Sequence, residues 1–117
     1  MDFGRQLPKL LGALPGERSR QWIDRLAARE CPAITARRAR RAQVLGHADD
    51  DPVVWSRARG SNVQDVDGNI FVDLTAGFGV AGIGHGHPAV QSAIHAQSEL
   101  LLHAMGDAFS DPRRIEL

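Results

Sequence analysis

The residues best suited to chemistry lie in a glycine-dense stretch, residues 77–88, which contains two histidines and ends in a proline. Gly77, Gly79 and Gly82 match the GxGxxG spacing of a dinucleotide-binding loop. That site requires a helix to begin within the motif, so that its N-terminal N–H groups face the pyrophosphate. Here the helical pattern begins only at Pro88, so we do not predict a dinucleotide site.

Histidines around this stretch raise a metal hypothesis. His85 and His87 precede the helical pattern, whereas His95 and His103 lie within it. A zinc site needs several ligands that converge on one point, and the first two histidines are better placed to cap and orient the start of the helix. We therefore predict no zinc site.

Acidic residues upstream imitate a calcium-binding loop. Asp65, Asp67, Asn69 and Asp73 have the spacing of the start of such a loop. Such a loop also requires a glycine and a terminal glutamate, where this chain has Ile70 and Ala76. A β-hairpin explains the same residues better, and we predict no calcium site.

Covalent catalysis has few candidates in this chain. Cys31 is the only cysteine and has no catalytic motif around it, and neither a GxSxG elbow nor a P-loop is present. Lys9 is the only lysine. A lysine-dependent mechanism would therefore depend on Lys9, which is distant in sequence from the glycines. We predict no catalytic residue within the chain.

The composition argues against charged partners. The 117 residues carry a formal net charge of zero and are 43% hydrophobic, which is ordinary for one small folded domain. Such a chain has no field that would attract nucleic acid or a membrane surface. No segment approaches the roughly 18 apolar residues of a membrane span. A single cysteine fits a reducing compartment, so we expect a cytoplasmic protein.

A β-hairpin over residues 61–74 is expected to position the glycine-dense stretch. The pair Asp67-Gly68 separates two runs with strand character, which is a strong hairpin signal in which both turn residues take positive φ. Alternation along the second arm predicts one buried face. That face is formed by Ile70, Val72 and Leu74.

Helical patterns flank the hairpin. Prolines and glycines limit residues 1–16 to a turn or two of helix, so we expect an arm that lies on another part of the molecule. A short extended run is predicted over 53–55. Helices are predicted over 17–30, over 36–45 with Thr35 as N-cap, over 88–105 with Gly106 as the stop, and from 113 onward.

Two of these helices raise the question of partners. The arginine-rich helix over 36–45 either contacts RNA phosphates or is a solvated helix that pairs with acidic residues such as those at 49–51. The second interpretation is favoured because no aromatic residue interleaves the arginines. The helix over 88–105 is apolar around nearly half its circumference, and the chain has little to cover it. We therefore expect weak folding of the isolated chain.

Several short motifs in residues 52–103 occur together and with consistent spacing. They are Pro52-Val53-Val54, Arg59-Gly60, Asp65-Val66-Asp67-Gly68-Asn69, Val72-Asp73, Gly77-Phe78-Gly79-Val80, Gly84-His85, His87-Pro88-Ala89-Val90, and Gln97 with Leu102-His103. This set resembles the N-terminal region of class III, or ω-amino acid, aminotransferases, which use pyridoxal 5'-phosphate (PLP). Leu14-Pro15-Gly16 and Glu30-Cys31-Pro32 resemble the arm of the 4-aminobutyrate type.

The resemblance implies an α+β fold that forms part of the small domain of a fold-type-I PLP-dependent transferase. Residues 1–51 would be a helical arm and residues 52–117 an incomplete small-domain segment. The implied reaction transfers an amino group from an ω-amino acid, such as 4-aminobutyrate, to a 2-oxo acid in a homodimer. The resemblance puts Phe78, Gly79 and Val80 at the substrate pocket, and a phenylalanine that fills the core is an equally good interpretation of Phe78.

Members of this family hold PLP through a lysine, an acidic partner of the pyridinium nitrogen and a phosphate cup, all in a large domain that follows this region. Lys9 is not at a matching position, so we expect a fragment or truncated product that is inactive alone. The alternative is a non-catalytic remnant that acts as a dimerisation or interaction module. A reading frame that continues past Leu117 into lysine and acid motifs favours the enzyme, and a stop codon favours the remnant.

Overall fold

The computed structural model describes residues 2–46, 52–106 and 108–117. A 3-10 turn at Phe3–Arg5 is followed by α1 (Glu17–Ala27), α2 (Pro32–Leu45), β1 (Trp55–Arg59), β2 (Asn62–Asp65), β3 (Ile70–Val72), α3 (Pro88–Leu100) and α4 (Pro112–Glu116). This combination of helices and a small sheet is the α+β arrangement that the sequence predicts. The chain divides into two compact units, residues 1–85 and residues 86–117.

A three-stranded antiparallel sheet in the order β1-β2-β3 lies at the centre of the first unit. Strands β2 and β3 form the predicted hairpin, in which Asn62 faces Val72 and Gln64 faces Ile70. Strand β1 pairs with the other edge of β2. The extended run expected at 53–55 therefore leads into a complete third strand that the sequence pattern did not reveal.

The hairpin turn differs from the expected one. Of Asp67 and Gly68 only the glycine has positive φ, at 92°, so the expectation of positive φ at both residues is wrong. The N–H of Gly68 donates to the Asp65 carbonyl at 3.2 Å. This is the three-residue hairpin loop, in which one left-handed residue after a tight turn returns the chain to the second strand.

The hydrophobic core is small. Among the described residues, the buried hydrophobic ones are Ile23, Val63 and Ile70. The predicted buried face of the second arm is correct at Ile70 but wrong at Val72 and Leu74, which are 39% and 90% exposed. Strand β3 ends at Val72 because the carboxylate of Asp73 accepts hydrogen bonds from the backbone that follows it and turns the chain away from the sheet.

The N-terminal arm pairs with the hairpin, whereas the sequence predicted only that it lies on another part of the molecule. The backbone of Lys9 pairs with that of Ile70 through two hydrogen bonds of 2.9 and 2.8 Å. The side-chain oxygen of Asn69 accepts from the N–H of Leu11 at 2.7 Å, and its amide nitrogen donates to Asp65 at 2.7 Å. Asp65 and Asn69, two of the residues that imitate a calcium loop, thus serve the hairpin turn and the arm.

The tip of the hairpin caps helix α1. The N-cap residue of α1 is Gly16, which has no side chain to accept a hydrogen bond. The carboxylate of Asp67 accepts instead from the N–H of Arg18 at 2.8 Å, and from the N–H and hydroxyl of Ser19 at 3.0 and 2.6 Å. Burial raises the pKa of Asp67, but the Ser19 hydroxyl and these N–H groups together outweigh it and hold the pKa below its usual value.

Helix α2 begins earlier than expected. Its first residue is Pro32, with Cys31 at the N-cap, so the predicted start at 36 is wrong. Proline suits this position because a helix leaves its first N–H groups unpaired. Thr35 is therefore inside the helix, where its hydroxyl donates to Glu30 at 2.7 Å. Arg38 pairs with the same carboxylate, whereas the acidic residues at 49–51 lie outside the described residues.

The second unit contains α3 and α4. Helix α3 begins at Pro88 as predicted, and the ring of His87 accepts from the N–H of Ala89 at 3.3 Å. The helix ends at Leu100, so the predicted end at 105 is wrong. Its last turn is closed by the side chain of Gln97, which donates to the Leu101 carbonyl at 3.0 Å. Neither helix has a buried residue, and therefore no packing stabilises a further turn of α3.

Among the described residues, every helix is too short or too polar to cross a membrane.

Candidate functional site

The glycine loop, defined here as residues 73–85, leaves β3 and returns to the hairpin. At its start the N–H of Asp73 donates to the Ser61 carbonyl at 2.8 Å. At its end the backbone of His85 pairs with Gly60 through two hydrogen bonds, each of 2.8 Å. Both ends of the loop are therefore fixed to the connection between β1 and β2.

The carboxylate of Asp73 organises the interior of the loop. Its side chain is only 3% exposed. One oxygen accepts from the N–H and hydroxyl of Thr75 at 3.0 and 2.8 Å, and the other from the N–H of Gly77 and Nε2 of His85, both at 2.8 Å. The hydrogen bond from His85, followed by that from the Thr75 hydroxyl, lowers the pKa of Asp73 to about 2 against the opposing effect of burial.

The loop contains a left-handed turn. Ala76, Gly77, Phe78 and Gly79 have φ values of 49°, 57°, 60° and 84°. The N–H of Gly79 donates to the Thr75 carbonyl at 3.0 Å. An L-residue in this region costs about 1–2 kcal/mol, so Ala76 and Phe78 are strained. Strain of this kind persists where the surrounding structure enforces it, and it concentrates at functional sites.

The strained turn presents an apolar side chain to solvent. Phe78 is 97% exposed, so it does not fill the core of this chain. Val80 is also almost completely exposed, and Gly79 lies between the two. An aromatic ring with flanking glycines offers an apolar wall beside accessible backbone. Residues 77–82 lie in turns rather than at the start of a helix.

The glycine loop lies within a region that matches a known family. The family model "Aminotransferase class-III" matches residues 45–116. This chain belongs to the class III aminotransferases. Enzymes of this family are generally PLP-dependent, and the match covers the hairpin, the glycine loop and both helices of the second unit.

Individual relatives match stretches of different length. The acetylornithine aminotransferase of Methanosarcina mazei is 46% identical over 52 residues, which are 44% of this chain and 13% of the relative. That of Methanocaldococcus jannaschii is 40% identical over 62 residues, or 53% and 16%. The alanine/serine racemase of Pyrococcus horikoshii is 31% identical over 100 residues, or 86% and 19%. The chain spans less than a fifth of the length of each of these relatives.

The described residues do not form a PLP site. Lys9, the only lysine, has an exposed side chain on the N-terminal arm, and its backbone is committed to Ile70. Among the described residues, Asp73 is the carboxylate that accepts the most hydrogen bonds. All of its donors belong to the glycine loop, so its oxygens are already occupied. Within the described part of the chain, no three side chains of the metal-binding types cluster to hold a metal ion.

Sequence reasoning missed the residues that shape the loop. Of the two histidines expected to cap the helix, only His87 does so. His85 instead bonds Asp73, and its ring packs edge-on against Trp55 with centroids 6.2 Å apart. The signal for Asp73 and Thr75 was available, because Asp and Thr side chains frequently bond backbone two residues away in turns. The partnership with His85 had no local signal.

Proposed function

We propose that this chain is the N-terminal part of a PLP-dependent class III aminotransferase that transfers an amino group from an ω-amino acid to a 2-oxo acid. The donor is of the 4-aminobutyrate type, or N-acetylornithine, the substrate that the names of two relatives contain. The proposed setting is a homodimer in the cytoplasm. Residues 1–51 would form the helical arm and residues 52–117 part of the small domain.

The observation that carries this proposal is the exposed ring of Phe78 on a strained turn. An apolar side chain that is exposed to solvent adds little to the stability of its own chain. It becomes useful when another part of a longer polypeptide, or a second subunit, brings a substrate against it. We propose that Phe78, Gly79 and Val80 line the substrate pocket in that assembly, with the aliphatic part of the amino donor against the ring.

The isolated chain is proposed to be inactive. PLP chemistry in an aminotransferase requires a lysine held in a pocket with groups that grip the phosphate, and exposed Lys9 offers neither. After the chain is mixed with one equivalent of PLP and reduced with borohydride, mass spectra should show no stoichiometric adduct at Lys9, so that the extent of labelling matches that of a Lys9→Arg control. Stoichiometric labelling of Lys9 would contradict this.

The activity is tested with the protein that is encoded by the complete reading frame containing this chain. We expect the PLP-loaded product to transfer an amino group from 4-aminobutyrate or N-acetylornithine to 2-oxoglutarate. Failure with every ω-amino donor, or racemisation of alanine without amino transfer, would overturn the proposal. The Phe78→Ala variant should raise the KM for the donor, whereas Leu74→Ala, exposed at the start of the same loop, should leave it unchanged.

A second candidate is a non-catalytic module that associates with another copy of itself. It is favoured by an open apolar groove of about 750 Å³ along α3, lined by Val90, Ala93, Ile94 and Leu101 with Arg113 at its edge. A stop codon directly after Leu117, together with a stable dimer in sedimentation equilibrium, would support this candidate. An in-frame continuation with lysine and acid motifs would favour the aminotransferase.

A further inference from the structure

The glycine loop has two anchors that lie 12 positions apart in sequence and meet in space. Nε2 of His85 lies 2.8 Å from a carboxylate oxygen of Asp73. We infer that Asp73 and His85 are positioning residues, whose hydrogen bond closes the base of the glycine loop and holds the left-handed turn that presents Phe78. Their effect on a substrate rests on the proposed function, whereas their effect on the loop does not.

The strained turn must be held by hydrogen bonds, because its side chains are not buried against the rest of the chain. Phe78 in the turn and Val80 directly after it are 97% and 90% exposed. The N–H of Gly77 donates at 2.8 Å to the same Asp73 oxygen that His85 contacts. One oxygen atom thus connects the strained turn to the end of the loop. Hydrogen bonds to an ionised carboxylate are stronger than neutral ones, which suits a group that must oppose backbone strain.

His85 is itself held firmly, which makes it an effective anchor. Its backbone pairs in both directions with Gly60, and its ring meets the edge of Trp55. The end of the glycine loop can approach Gly60 this closely only because residue 84 is glycine. A Cβ on Gly84 would lie 3.2 Å from the Cα of Gly60. The sheet therefore fixes His85, His85 fixes Asp73, and Asp73 fixes Gly77.

The geometry assigns Asp73 a positioning role rather than a catalytic one. Its two oxygens already accept four hydrogen bonds, from Thr75, Gly77 and His85. Its side chain is almost fully shielded from solvent. A general base must instead reach a proton of the substrate. The carboxylate can influence a substrate only through the loop that it holds.

Amide hydrogen exchange and the amide chemical shift of Gly77 test the anchor directly. In the wild-type chain, kept folded with sulfate, the Gly77 amide should be protected and shifted downfield by its charged acceptor. Asp73→Asn should accelerate its exchange by about tenfold or more and remove the shift, since local opening is no longer opposed. His85→Ala should have a similar effect, and His85→Gln, which retains a donor, should restore part of the protection.

The matched control is Asp67→Asn, which makes the same chemical change at another carboxylate of the first unit that accepts from backbone N–H groups. It should weaken α1 and leave the Gly77 shift unchanged. The inference is wrong if the wild-type Gly77 amide is unprotected, or if Asp67→Asn and Asp73→Asn change its shift equally.

Kinetics of the complete aminotransferase separate this inference from the proposed function. Asp73→Asn should raise the KM for the amino donor by about tenfold with kcat changed less than about twofold, because the loop contributes to binding rather than to the chemical step. An equal loss in kcat would overturn the positioning role. If no activity exists in any variant while the Gly77 amide responds as described, the anchor stands and the proposed function fails.

Discussion

At the scale of single residues, two heavily hydrogen-bonded carboxylates of the first unit, Asp67 and Asp73, serve the backbone. Asp67 caps α1, and Asp73 holds the glycine loop. Both have a lowered pKa because several N–H or O–H donors surround the ionised form. Their role is structural at neutral pH, and it makes the fold sensitive to acid.

The first prediction concerns the titration of Asp73. Its pKa in the folded chain is about 2, below the value of about 3.9 expected in an unfolded chain. The contribution of Asp73 to stability is therefore complete above about pH 4 and is lost as the pH falls towards about 2. Carbon-13 NMR of the side-chain carboxyl should give this low midpoint. A midpoint near 4 would show that the hydrogen bonds in the loop do not form.

The second prediction concerns the cap that Asp67 provides. Asp67→Ala should reduce the free energy of unfolding of α1 by about 1 kcal/mol, as other N-cap losses do. Exchange of the Arg18 and Ser19 amides, which donate to the carboxylate, measures the effect. Asp24→Ala, a change at an exposed site on the same helix, is the control and should not affect those amides. Equal effects of the two variants would contradict the assignment of the cap.

At the scale of elements, the hairpin and its flanking segments are held together by contacts at their ends. The arm pairs with β3 through Lys9, and the glycine loop returns to Gly60. Helix α2 is attached locally through Arg38 and Glu30. The elements around the sheet thus depend on a few polar contacts at defined positions rather than on a broad apolar interface.

The third prediction concerns the closure of the loop onto the sheet. Gly84→Ala should destabilise the first unit by about 1–3 kcal/mol, because Gly84 has φ of 94° and its new Cβ would lie 3.2 Å from Gly60. Gly12→Ala is the control, since a Cβ there meets no atom within 4 Å. Urea denaturation followed by tryptophan fluorescence, to which Trp22 and Trp55 of the first unit both contribute, measures both. Unchanged stability of the Gly84 variant would mean that the loop does not close as described.

At the scale of the whole molecule, the two units differ in how much they bury. The first contains Val63 and Ile70 in its core. The helices of the second contain no buried residue, although α3 carries Val90 and Ile94 on its surface. Burial of apolar surface is the main favourable term in folding. The second unit therefore gains little stability from its own residues.

The fourth prediction follows for the isolated chain. Amides of α3 should exchange nearly as fast as in an unfolded peptide, whereas those of β2 should be protected. Urea should produce a broad loss of helical signal without one shared transition. A single sharp transition in a monomer, reported equally by α3 and by β2, would contradict this prediction.

The sequence alone determined the hairpin, the start of α3 at Pro88 and the family, because turn residues, proline positions and motif spacing are local properties of the chain. Only the tertiary structure decided that Asp67 caps a helix 49 positions away, that His85 bonds Asp73 rather than the helix entry, and that Phe78 points into solvent on a left-handed turn. A side chain can satisfy its hydrogen bonds with any donor that the fold brings near, and no local pattern identifies that donor. Local patterns also could not show the extra strand β1 or the early end of α3, because strand pairing and burial depend on what the rest of the chain supplies.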